Sequence, residues 1–175
     1  MIEKIPYIAR RIIAYLLDVA LVYTTVVAIL QGLLLRPIRE SLGIYEEWFY
    51  DPWHLEGYIL LTISLPVWIY FTSMESSRWQ ATLGKKYMKL KVSDIDGQAI
   101  SRSKAFGRTI LKLLPWELSH LGVVFPEPLY YSENGEVRWL TIAGMALVVI
   151  YFISIYFLKK TQTIYDLWLG TKVES

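Results

Sequence analysis

Residues 10–30 read RRIIAYLLDVALVYTTVVAIL, and the run from Ile12 to Leu35 is apolar enough to dissolve in a bilayer except at Asp18 and Gln31. A spanning helix needs roughly 20 apolar residues, so this segment qualifies by length. A carboxylate near the centre of such a helix costs about 3 kcal/mol on insertion-type scales. Asp18 is therefore expected either to be paired by another part of the chain or to be used by the protein.

The whole chain points the same way. Of its 175 residues 54% are hydrophobic and 19% charged, against roughly 25% charged in soluble domains. Tyr7, Trp48, Trp53, Trp79, Trp139 and Trp168 flank apolar runs, as interfacial aromatic anchors do. The absence of cysteine excludes disulfides and thiol chemistry. The basic start followed by an apolar stretch resembles a signal peptide, but the stretch is too long and no small-residue cleavage site comes after it. It is expected to be a retained transmembrane helix.

Three further segments are candidates for spanning: residues 58–74, with a kink expected at Pro66, residues 139–158, which carry no charge, and residues 109–125, which contain Lys112, Pro115, Glu117 and His120. Loop charges decide the last case. Residues 1–11 carry a net +2, residues 36–57 a net −3, residues 75–112 a net +6 and residues 126–138 a net −2. The tail, with Lys159, Lys160 and Lys172 against Asp166 and Glu174, carries +1. Lys/Arg excess marks cytoplasmic segments. The alternation predicts an all-α integral membrane protein of one domain, with four transmembrane helices and both termini cytoplasmic.

The cytoplasmic loop at 75–108 has its own pattern. ATLGKKYMKLKV reads as a short basic turn or helix leading into a strand through residues 89–92, and SDIDGQAIS supplies a turn at Asp96-Gly97 and a second short strand. A small β-hairpin near the headgroups is predicted between helices 2 and 3. Its lysines either fix topology alone or also attract anionic lipid, at about 1 kcal/mol each.

Three separated motifs now form one pattern. ARRIIAYLLD places Arg11, Ala14 and Asp18 at spacings of three and four; ATLGKKYMKLKVSDIDGQAIS precedes AFGRTILKLLPWELSH; TIYDLWLGTKV closes the chain. Together, from Tyr7 to Val173, they resemble the RDD family of small bacterial membrane proteins, named for one arginine and two aspartates. The resemblance implies that Arg11 is the family arginine and Asp18 the first aspartate. Asp166 is the favoured place for the second, and the second span ends instead in Glu75. It implies transport, with sodium/proton antiport proposed for some members.

Each candidate site has a structural and a functional reading. Asp18 and Asp166 either accept from Arg11 and Arg108, tying termini and loop together, or bind a proton or cation. Glu117 and His120 share a helix face; they either hydrogen-bond to steady the bend at Pro115 or relay protons. A di-iron site needs two such pairs and further carboxylates, so no metal is expected, and no cofactor. Gly84, Lys85 and Lys86 lack the remainder of a phosphate-binding loop, which leaves nucleotide and nucleic-acid binding without support. Glu75 is expected to pair with Arg78 or Arg108. No nucleophile constellation suggests an enzyme.

The leading expectation is a small transporter or proton- or sodium-coupled exchanger, with Asp18 as the exchange site tuned by Arg11. The alternative is a non-catalytic membrane module that binds or regulates a partner protein or supports membrane integrity. Four helices line a narrow pore, so assembly into a homo-oligomer is expected.

Overall fold

The computed structural model describes residues 2–133, 135–158 and 162–175, with the side chain of residue 3 also outside the description. Lys159 and Lys160 of the expected basic tail lie outside the described residues. The chain is mainly helical: α1 (Tyr7–Ser41), α2 (Pro52–Glu75), α3 (Leu83–Tyr87), β1 (Lys91–Asp94), α4 (Arg102–Val124), α5 (Trp139–Phe157), α6 (Ile164–Leu169) and β2 (Thr171–Glu174).

Three described helices are long and apolar enough to cross a membrane: α1, α2 and α5, with 35, 24 and 19 residues. The 23-residue α4 matches them in length, but its lysines, arginines, Glu117 and His120 keep it out of that group. Along α5 and between Ile12 and Leu35 of α1, exposed side chains such as Leu16, Val19, Leu33, Leu34, Met145, Val149, Ile153 and Phe157 are apolar, whereas Arg10, Asp18 and Ser154 on the same helices are buried. That inversion of the soluble pattern is stable where hydrocarbon is the solvent.

Two compact units make up the chain. The first comprises Met1–Val22, Trp68–Lys112 and Val149–Ser175. Its apolar core is formed by Ala14, Met88, Leu90, Val92, Ile100, Ala105 and Val173. The predicted hairpin inside the basic loop is corrected here. β1 forms, but its antiparallel partner is β2 from the tail, with Val92 opposite Val173 and Asp94 opposite Thr171. The Asp-Gly turn exists: Gly97 takes a φ of +82°, and the Asp94 carboxylate accepts from the Asp96 and Gln98 N–H groups. The segment after this turn forms no strand, because Ile100 turns into the core. Val92 and Val173 are both fully buried, and that apolar pair sets the register.

The second unit comprises Tyr23–Val67 and Leu113–Val148, with a core of Phe49, Leu55, Ile59 and Val124. Within it α4 and α5 approach closely at two glycines. A Cβ on Gly122 would lie 2.6 Å from the Thr141 nitrogen, and one on Gly144 would lie 2.6 Å from the Pro115 carbonyl oxygen. Small residues at such crossings let backbones meet where lipid supplies no hydrophobic drive.

Pro66 in α2 and Pro115 in α4 do not break their helices. A proline removes the N–H that would bond the carbonyl four residues earlier; at Pro66 that carbonyl belongs to Thr62, and at Pro115 to Leu111. Gln31 Nε2 donates to the Thr62 carbonyl at 3.2 Å and to its hydroxyl at 2.6 Å. The Tyr151 hydroxyl donates to the Leu111 carbonyl at 2.6 Å. Gln31, the second polar interruption of the first apolar run, is thus satisfied, and Tyr58 donates to its other amide atom. Around the Gln31–Thr62 contact α1 and α2 are wound with the wider i→i+5 hydrogen bonding, at Tyr23–Leu35 and Leu60–Ser64.

Replacing Val173 by Ala is expected to lower unfolding free energy by about 2 kcal/mol, from the lost methyl burial and the cavity left opposite Val92. Lys91→Ala on the exposed side of the same sheet is expected to change it by less than about 0.5 kcal/mol. Denaturant unfolding in detergent measures both.

Candidate functional site: a buried ion network and a helix clamp

Asp18 lies on the buried stripe Arg10–Ala14–Asp18 of α1 and is 1% exposed. The short helix α3 docks on it. Thr82, the residue before α3, donates its hydroxyl to Asp18 Oδ2 at 2.5 Å, and the Gly84 N–H donates to Oδ1 at 2.9 Å. The Tyr70 hydroxyl donates to Oδ1 at 2.9 Å and itself accepts from the Leu83 N–H at 3.0 Å. Thr82 Oγ1 accepts from the Lys85 N–H at 3.4 Å. The first three N–H groups of α3, which have no partner within the helix, are thereby all occupied, and the carboxylate sits at the positive end of the helix dipole. Residue 84 has to be glycine: a Cβ there would collide with the Ala14 carbonyl oxygen and press on the Asp18 carboxyl group.

A second buried cluster adjoins the clamp through Lys85. Glu75, at the end of α2 and fully buried, meets Arg108 at 2.5 Å, Lys85 at 2.7 Å and Lys112 at 3.1 Å. Arg108 and Lys112 stand one turn apart on α4, so one helix face supplies two of the three cations. The Arg108 guanidinium, 1% exposed, also reaches Asp166 at 2.8 Å, and Arg11 reaches the same carboxylate at 3.4 Å. Asp166 is held locally as well. It is the third residue of α6 and accepts from the Thr163 N–H at 3.0 Å, the capping-box arrangement. The hydroxyls of Thr163 and Thr171 donate to it at 2.8 and 2.9 Å. Arg11 further touches Tyr7, whose hydroxyl donates to the Val173 carbonyl at 2.5 Å.

Burial alone would raise the Asp166 carboxyl, but Arg108 and then Arg11, joined by the Thr163 donors, outweigh it and hold it below the ordinary aspartate value.

The sequence-predicted residues separate into groups. Arg11, Arg108, Asp166, Glu75 and Lys85 converge on one network, and of the two arginines expected for Glu75 it is Arg108 that meets it. Asp18 is met by Thr82, Gly84 and Tyr70 and not by a guanidinium, which corrects the expectation that Asp18 accepts from Arg11 or Arg108. Lys86 lies over the Trp79 ring at 3.2 Å, and Asp96 and Gly97 belong to the exposed turn. Glu117 and His120, in the second unit, do not form the expected mutual hydrogen bond. Glu117 accepts from the Ser64 hydroxyl at 3.0 Å, and His120 packs edge-on against Trp116 with its Nδ1 buried and without a partner among the described residues. No group of three or more metal-ligating side chains lies together among the described residues.

Sequence reasoning missed Tyr70, Thr82, Lys112, Thr163 and Thr171. Thr163 was findable, because Thr-x-x-Asp ahead of an apolar turn is a helix-start signature. Thr82 was findable as a good capping residue before LGKK.

Apolar helices with a buried ion network at the join of loop and tail define a helical membrane protein. The profile of the RDD family matches residues 5–170, and the chain belongs to that family. No curated protein and no solved structure matches it.

Asp18→Ala leaves the buried Thr82 hydroxyl, the half-buried Tyr70 hydroxyl and the Gly84 N–H without their acceptor and is expected to cost about 3 kcal/mol or more. Asp18→Asn, which keeps one carbonyl oxygen, is expected to cost about half as much; thermal unfolding of the purified variants gives the order. Acid supplies a separate test. Because the folded-state value of Asp166 lies below the unfolded one, its contribution is full above about pH 3.9 and is lost as pH falls through the lower folded value. Wild type is expected to lose this contribution below about pH 4. Asp166→Asn, lowered by about 3 kcal/mol at neutral pH, is expected to lack that step in melts recorded against pH.

Proposed function

We propose that this RDD-family membrane protein is a multi-pass protein of the bacterial inner membrane. In this reading it crosses four times through α1, α2, α4 and α5, with both termini and the basic loop in the cytoplasm. The alternation of loop charge supports the topology; it requires the polar α4 to cross as well. The basic loop would face anionic lipid, and a homo-oligomer would widen the narrow lining that four helices provide.

Within that topology the chain acts as a small proton- or sodium-coupled exchanger, with Glu117 as the ion-binding carboxylate. The observation that carries this is the setting of Glu117. It lies inside α4, is half-buried and accepts from the Ser64 hydroxyl of α2. Ionisable groups inside a membrane segment are costly and mark ion routes. His120, one turn on with an open Nδ1, is suited to pass a proton. Asp18 is a poorer exchange site than the sequence suggests, since donors from its own chain occupy both of its oxygens. That same observation favours the second reading, a non-transporting module whose loop is clamped to the membrane helices.

Proteoliposomes with an internal pH dye and imposed sodium, potassium or proton gradients separate the two. The exchanger reading expects flux in wild type, loss of at least about tenfold in Glu117→Gln, a barrier increase of about 1.4 kcal/mol, and retained flux in folded Asp18→Asn. Absence of flux with every cation in wild type supports the module instead.

A further inference from the structure

The buried charges of the first unit do not balance. Arg11, Lys85, Arg108 and Lys112, none more than 13% exposed, face Glu75 and Asp166, both fully buried. Adding Asp18 and Arg10, which are 1% and 8% exposed, makes five basic side chains against three carboxylates among the described residues of the unit. Four of the basic side chains have carboxylate partners. Arg10 is the exception, with its Nε buried and no acceptor for it among the described residues. A guanidinium N–H withdrawn from water without an acceptor is costly, and an unsatisfied buried group in a native fold points to something that completes it.

The position of Arg10 says what that is. It stands on the same stripe as Ala14 and Asp18, two residues before the apolar run begins at Ile12, which places it at the depth of lipid headgroups. The same unit exposes Trp79, Tyr87 and Trp168, side chains that settle at that depth. A planar guanidinium matches the oxygens of a phosphate in a two-pronged hydrogen bond. We infer that Arg10 is a phosphate-binding residue, which takes a phosphate group as the missing anion of the first unit. The phosphate comes from a lipid headgroup or from free phosphate. This inference does not depend on whether the protein transports ions.

The test uses the full chain purified in a neutral detergent. Thermal unfolding and native mass spectrometry are recorded with added phosphatidylglycerol and, separately, with inorganic phosphate. Wild type is expected to retain phosphatidylglycerol and to melt several degrees higher with it. Arg10→Gln is expected to bind it at least tenfold more weakly. Arg102→Gln, which removes an exposed charge from the same unit, is expected to match wild type. Arg10→Lys keeps the charge and loses the fork, so it is expected to fall between them, and it carries the comparison if Arg10→Gln does not fold. Stabilisation by the lipid alone assigns a headgroup as the source; equal stabilisation by inorganic phosphate assigns a free anion. The inference is overturned if neither compound shifts wild type, or if the Arg10 variants bind as wild type does.

Discussion

The Arg108 guanidinium lies between Glu75 and Asp166, and the first unit is arranged around that double pairing. A buried arginine cannot lose its charge, so its desolvation has to be offset by acceptors in fixed positions. Glu75 ends α2 and Asp166 opens α6, so satisfying Arg108 fixes where one helix stops and where another starts. Lys112 stands one turn later on α4, and Lys85 brings α3 to the same carboxylate. Arg11 then ties α1 to Asp166. Each removal exposes a neighbour's charge, which makes the network cooperative and leaves little room for substitution at any member.

Polar contacts carry this much of the structure because the outer surface is apolar. Where side chains face hydrocarbon on one side and protein on the other, burying another leucine gains little. Backbone groups freed by proline are expensive in that setting, and side chains from neighbouring helices take them up. Gln31 bonds the carbonyl that Pro66 leaves open, and Tyr151 the one that Pro115 leaves open. Both contacts use residues that look, in an apolar run, like imperfections. They convert two breaks in hydrogen bonding into specific helix–helix contacts.

The apolar spans were legible because length and hydropathy are local properties, and Asp18 was legible as a group in need of donors. The identity of those donors was not. Tyr70 sits in an apolar run where its hydroxyl carries no periodic signal, and Thr82 lies more than sixty residues from Asp18. The sheet failed for a similar reason. The Asp-Gly turn is a sound local signal and the turn is formed, yet a strand pairs where its side chains can be buried, and Val92 found Val173 in the tail. The carboxylates of the ion network came from charge, spacing and the family pattern, whereas Lys112 was hidden by its place in a segment read for hydropathy.

An aspartate in the first apolar helix is costly only while nothing donates to it. The start of α3 presents N–H groups that lack helical partners, a hydroxyl and the positive end of a dipole, so each side satisfies what the other lacks. Gly84 permits the approach by offering no side chain where the Ala14 carbonyl oxygen and the carboxylate press close. Asp18 is thereby committed to holding the basic loop, and releasing it would also uncap α3. Glu117 accepts from the Ser64 hydroxyl on α2. Changing its protonation state would not undo a helix start. The two acidic residues that hydropathy alone would mark as equivalent misfits therefore differ in what they hold: Asp18 caps the start of α3, and Glu117 joins α4 to α2.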